Sequence, residues 1–193
     1  MKNEVKFSET VMLVDAAFLN FVITDIKKNF ERMLNRPLHD VDLSDLFVYL
    51  GLDAGLNIGK NEVQVLLIYD TESAKLSYCH PSDLAKELNG TAFQDSTLGE
   101  FLFYSFQPEG MAALEDLYLE SLTLLTEAKE VKKLVVISFN EEYGDKVSAI
   151  LDKAEDKEIV QFRMNEPGKE TGYRWEILAY PLMQALGIRG DEL

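Results

Sequence analysis

Cysteine, histidine and positive charge are the scarce features of this sequence. Cys79 is the only cysteine, so no disulfide can form within the chain and a cross-linked scaffold is excluded. A lone thiol of this kind reads as a small apolar side chain in a reducing compartment. The two histidines, His39 and His80, stand in no metal-ligand spacing, which argues against a zinc site and against a histidine-based triad. No apolar run approaches the roughly 20 residues that cross a bilayer. The start MKNEVKFSET holds no apolar core of a secretory signal, so the expected location is cytoplasmic, with no membrane partner.

Glycine-rich phosphate loops are missing as well. Asp15 is followed by Ala-Ala-Phe-Leu-Asn, and GxxxxGK[ST] occurs nowhere, which removes the common nucleotide-binding folds. The 19 basic residues face 34 acidic ones, a formal net charge of −15 that repels phosphate backbones at long range. DNA is therefore an unlikely partner. The basic clusters Lys27-Lys28, Lys132-Lys133 and Arg163 to Lys169 are short and read as solvated element ends. A protein or RNA is the partner class left open, and an apolar patch formed by Phe101, Phe103 or Trp175 would be the contact surface for a protein.

What the chain does have is alternation of buried strands and helices over 193 residues, enough for one α/β domain that buries about 70% of its unfolded surface. Val11 to Val14 is a short apolar run closed by Asp15, the pattern of a strand buried on both faces. Val22, Ile26, Phe30 and Met33 recur at helical spacing between Asn20 and Asn35. Ser44 is a candidate cap for a second helix carrying Leu46, Phe47 and Leu50. Val63 to Tyr69 reads as the next strand, closed by Asp70, and Leu76 to Cys79 as an arm pairing back on it. A short helix follows Pro81-Ser82-Asp83, a strand covers Glu100 to Gln107, and a long helix covers Met111 to Lys129. Lys133 to Phe139 is a strand, Tyr143 to Ala154 a helix, Ile159 to Met164 a strand and Asn165 to Gly172 a surface loop. The last element is a helix over Trp175 to Leu186 interrupted by Pro181.

This order predicts an α/β fold: a mainly parallel sheet flanked by helices on both faces, a three-layer Rossmann-like arrangement. The chain reads as one domain, residues 1–193, with a C-terminal helical segment over 173–193. Ligands of such sheets gather at the carboxyl ends of the strands, which directs attention to Asp15, Asp70 and the residues after Phe139. Carboxylates dominate there. Asp116 and Glu120 lie four apart on one face of the long helix, and Ser138, Asn140, Glu141 and Glu142 lie at and beyond the end of the Leu-Val-Val-Ile strand. Converging oxygen donors are the ligand set that Mg²⁺ or Mn²⁺ prefers, so Asp15, Asp116, Glu120, Asn140 and Glu142 are the candidate metal ligands. As plain structure, Asp15 would cap the following helix and the acids on the long helix would face solvent.

The order of these pieces resembles the PIN-like nuclease superfamily, in particular its NYN branch, over residues 10–165, and so implies a PIN-like three-layer core there. Val14-Asp15-Ala16-Ala17 is similar to that family's first-strand motif, with Phe18 in place of an asparagine. Ser138-Phe139-Asn140-Glu141-Glu142-Tyr143 stands where the family carries SGDSDF, with Asn140 and Glu142 at the aspartate positions. The resemblance implies a metal-dependent ribonuclease in which Asp15, Glu120 and Glu142 are catalytic. The exchange to Asn140 removes a ligand charge, and Glu142 is one methylene longer than aspartate, so it implies equally a relative with weakened or lost catalysis that acts in regulation or interaction. A haloacid-dehalogenase-type phosphatase would need a second aspartate where Ala17 stands.

Overall fold

A computed structural model describes residues 6–193. Residues 1–5, which belong to the start read above as lacking a secretory core, lie outside it. The strands are β1 (Thr10–Asp15), β2 (Val41–Asp42), β3 (Asn61–Ile68), β4 (Cys79–His80), β5 (Thr91–Asp95), β6 (Gly99–Phe106), β7 (Lys133–Ile137), β8 (Glu158–Arg163) and β9 (Arg174–Ile177). The helices are α1 (Ala16–Leu34), α2 (Leu43–Asp53), α3 (Leu114–Glu127), α4 (Asn140–Leu151) and α5 (Ala179–Ala185), with a π-helical turn at Leu84–Leu88. Seven strands form one sheet in the order β5-β6-β3-β1-β7-β8-β9. Neighbours from β6 to β9 are parallel, and β5 joins the edge antiparallel.

Read by chain order alone, the six parallel strands run third, second, first, fourth, fifth, sixth, which is the doubly wound arrangement. Helices cover both faces. Met12 and Val14 of β1 point into a core shared with α1, α2 and α5, while Val11 and Leu13 point into a second core beneath α3 and α4. Strand periodicity makes this division automatic, since successive side chains leave opposite faces. No helix among the described residues is long and apolar enough to cross a membrane.

Several expectations are corrected by the structure. The first helix begins at Ala16, not Asn20, because Asp15 caps it directly. The second is capped by Asp42 rather than Ser44: its carboxylate accepts from the Ser44 amide at 2.8 Å. The segment after β3 does not pair back on it. Cys79–His80 instead pairs in parallel with Val41–Asp42 in a separate two-stranded sheet. The C-terminal segment opens with a strand, not a helix. Arg174–Ile177 adds to β8, and the helix is confined to Ala179–Ala185, with Pro181 in its first turn, where a missing N–H is harmless.

Burial corrects the surface expectations too. Phe101 and Phe103 are buried, because β5 and β3 flank their strand and Phe47 packs edge-on against Phe103. Trp175 is half-buried on β9. Met33, placed above on the buried stripe, is 70% exposed. The basic runs are weaker than they look, since Lys27 is buried and donates to the Leu38 carbonyl and to Glu31, and Lys133 is buried against Glu158.

Candidate functional site: the cleft at the carboxyl end of the sheet

The chain winds from β1 to one side through β3 and β6, then returns through α3 to the other side at β7. The connections leaving β1 and β7 therefore depart in opposite senses, and a crevice opens between them. Asp15 is the last residue of β1 and is fully buried. Its Oδ1 accepts from the Phe18 amide at 2.9 Å, satisfying one of the unpaired N–H groups at the start of α1. Its Oδ2 accepts from the Tyr143 hydroxyl at 2.5 Å. Tyr143 reaches it because α4 is irregular there (φ −140°, ψ 24°), which drops the ring into the core against Tyr118. The Tyr118 hydroxyl in turn donates to the Ile137 carbonyl at 2.9 Å and lies 3.3 Å from that of Leu13, bridging the ends of β1 and β7.

Burial holds the Asp15 carboxyl above its ordinary range, and the charge of Asp70 pushes the same way, while the bonds from Tyr143 and the Phe18 amide pull it back. Burial likewise pushes both tyrosine hydroxyls far up, so both stay protonated donors.

A second polar chain runs along β7 and β8. Arg163 carries only donors. Its Nη1 donates to Gln161 Oε1 at 3.1 Å and its Nε to the Asn165 carbonyl at 3.1 Å. Gln161, fully buried, is thereby oriented so that its Nε2 faces Asn140 Oδ1 at 3.4 Å, and that oxygen also accepts from the buried Ser138 hydroxyl at 2.8 Å. Two donors on Oδ1 fix the Asn140 amide, leaving Nδ2 with no protein partner among the described residues. Gly144 makes room for this, because a Cβ there would stand 3.1 Å from Asn140 Cβ.

Over this floor opens a cleft of about 320 Å³, walled by Phe18, Phe21 and Phe139 and rimmed by Asp25, Asn140, Glu141, Arg163 and Asn165. Phe139 lies 5.1 Å from the Phe18 ring and 6.0 Å, nearly parallel, from that of Phe21. Phe21 is 59% exposed although it is large and apolar.

The chain belongs to the DUF6621 family. That family of unknown function matches residues 4–193, nearly the whole chain. No curated protein and no solved structure matches it.

The structure brings some of the sequence candidates of this DUF6621 chain together and leaves others apart. Asp15 and Asp70 sit at the ends of adjacent strands, Asp70 folded into a turn in which it accepts from the Ser73 amide and hydroxyl. Ser138 and Asn140 share a hydrogen bond. Asp116 and Glu120 lie elsewhere, exposed beside Phe106 to Glu109, with Asp116 accepting from the Ala113 amide to cap α3. Glu142 is exposed. Among the described residues, no group of three or more His, Cys, Asp or Glu side chains is placed to hold a metal ion. A Mg²⁺ or Mn²⁺ centre does not fit this donor set, because Asp15, the one buried carboxylate among the described residues, has both oxygens in structural hydrogen bonds.

Sequence reasoning missed Phe18, Phe21, Gln161 and Arg163. Gln161 carried a signal, as the one polar residue inside the run Ile-Val-Gln-Phe, and Phe21 carried another by falling off the apolar stripe of its helix.

Proposed function

We propose that this DUF6621 protein is a non-hydrolytic, PIN/NYN-like interaction module that engages its ligand in the aromatic cleft between α1 and the ends of β7 and β8. The observation that carries this reading is the commitment of Asp15. Its resemblance to a catalytic aspartate is positional, while its two oxygens hold α1 and α4 to the end of β1. A carboxylate used in this way is a joint of the fold, as a helix cap with a buried tyrosine partner. The cleft beside it has the features of a small-ligand site: a concave apolar wall, a few fixed polar groups and a place at the switch point of a parallel sheet.

One observation favours the metal-dependent ribonuclease as a second reading. Asp70 is close enough to raise the Asp15 carboxyl, and a divalent cation relieves that kind of repulsion. Activity would then need an acid such as Glu142 to turn inward from its exposed position.

Amide chemical-shift mapping with a library of small ring compounds and short peptides tests the first reading. Binders should perturb residues 18–25, 139–141 and 163–165 together. Perturbations confined to other surfaces, or none, would overturn it.

A further inference from the structure

The ligand class follows from the walls and rim of this cleft, on the footing that the cleft is the binding site. We infer that it takes an uncharged planar heteroaromatic ring of the nucleobase kind, stacked on Phe21 and Phe139 with its edge against Asn140. Three features converge on this chemistry.

The first is the shape of the wall. Phe21 and Phe139 are inclined by 28° with centroids 6.0 Å apart, and the Phe18 ring lies 5.1 Å from that of Phe139, tilted by 32°. With Phe139 stacked against it and 59% of its surface still exposed, Phe21 keeps an apolar ring face that a further ring can cover, extending the stack. Aliphatic chains gain contact area there but no stacking.

The second is the mixture of donors and acceptors. Asn140 Nδ2 is the unused half of an amide whose other half is pinned by Ser138 and Gln161, so it is presented as a fixed donor. No side chain caps α4; the Glu142 amide turns back onto the Phe139 carbonyl, and the Asn140 and Glu141 N–H groups ahead of it are further donors at that end of the helix. Asp25 and Glu141 are exposed acceptors on the same rim. A ring bearing carbonyl or ring-nitrogen acceptors next to amino or imino donors meets both kinds of group, and this is the edge pattern of nucleobases. A plain hydrocarbon ring meets neither.

The third is charge. The one cation on the rim among the described residues, Arg163, donates to Gln161 and the Asn165 carbonyl, whereas two carboxylates, Asp25 and Glu141, line the same cleft. With a formal net charge of −15 behind them, a phosphate attached to the ring is repelled rather than gripped. The ring is therefore bound as a base or nucleoside, and a base within a polynucleotide binds more weakly.

Titrations followed by amide shifts and calorimetry, with the full chain, decide this. The ligands are adenosine, guanosine, cytidine and uridine, their 5′-monophosphates, short adenine and uracil oligoribonucleotides, and cyclohexanol and toluene as non-heteroaromatic controls. At least one nucleoside should saturate the cleft residues, bind more tightly than its monophosphate or oligonucleotide, and exceed both controls. Phe21→Ala, at an exposed position, should weaken that nucleoside about tenfold, the value of one stacked base. Asn140→Asp keeps the oxygen that Ser138 and Gln161 use and removes the donor, so it should weaken the same ligand while the melting temperature stays close to wild type. Equal binding of the hydrocarbon controls, or nucleoside affinity untouched by both substitutions, would overturn the ligand class while the cleft stands as a site. Tighter binding of the oligonucleotide would transfer the site to RNA strands and overturn the uncharged-ring inference. Silence of the cleft toward every compound would overturn the inference, and the separate mapping with ring compounds and peptides then decides whether the binding reading beneath it falls too.

Discussion

Asp15 joins three elements through two oxygens, and its energetics can be read from each bond. Oδ1 caps α1, and losing such a cap costs about 1 kcal/mol. Oδ2 satisfies the buried Tyr143 hydroxyl, and leaving that hydroxyl unpaired costs about 1–3 kcal/mol. Asp15→Ala should therefore lose about 2–4 kcal/mol in urea unfolding, while Asp15→Asn keeps Oδ1 as acceptor for the Phe18 amide and sets an NH2 against Tyr143, whose hydroxyl must turn to accept, so it should lose less than Asp15→Ala. The pH dependence separates charge from geometry. Burial raises the folded-state carboxyl above its ordinary 3.8, so the folded protein holds this proton more tightly than the unfolded chain does. The wild type must then lose stability relative to Asp15→Asn as the pH climbs from about 3.8 through the raised folded value. Paired urea melts of the two proteins from pH 4 to pH 7 check this, and a gap that moves the other way would mean that the hydrogen bonds outweigh burial. Cys79 behaves as the sequence suggests for a lone apolar thiol, since burial pushes it up to about 12 and keeps it unreactive at neutral pH.

At the scale of elements, what the sequence made legible were the buried strands. Residues 11–15, 63–68, 100–106, 133–137 and 159–163 are continuous or nearly continuous apolar runs, because both faces of a parallel sheet are covered and each side chain must be apolar. The edges were not legible. Thr91–Asp95 is mostly exposed, and Arg174–Ile177 is four residues long with two charges, so neither carries an apolar signature. Trp175 and Ile177 instead merged with the apolar spacing of the helix that follows. The site divides the same way. Strand-end positions Asp15, Ser138 and Asn140 could be named from the run lengths, but the direction of each side chain depends on register and helix start, which no single-residue pattern fixes. The turn into β6 shows how narrow such local solutions are. Gly99 has φ 101°, and a Cβ there would lie 2.3 Å from the Asn61 carbonyl oxygen across the β3–β6 pairing. Gly99→Ala must push the two strands apart and should cost about 2 kcal/mol or more, read as a lowered urea midpoint.

Across the whole molecule, the doubly wound order places the ends of β1 and β7 side by side, and the −15 charge surrounds them with a field that favours cations and repels phosphates. The same geometry can therefore be read as a metal-dependent nuclease centre or as a closed structural joint beside a ligand cleft. The distinction rests on whether a cation gains anything by binding at Asp15. A ligand that binds only the folded state must raise the melting temperature by mass action, so the melting curve reports the answer without a substrate. The decisive measurement is the melting temperature of the wild type and Asp15→Asn with and without millimolar Mn²⁺. A joint predicts no Mn²⁺-dependent rise that distinguishes the two proteins, whereas a rise in the wild type that vanishes in Asp15→Asn would contradict it and restore the nuclease centre.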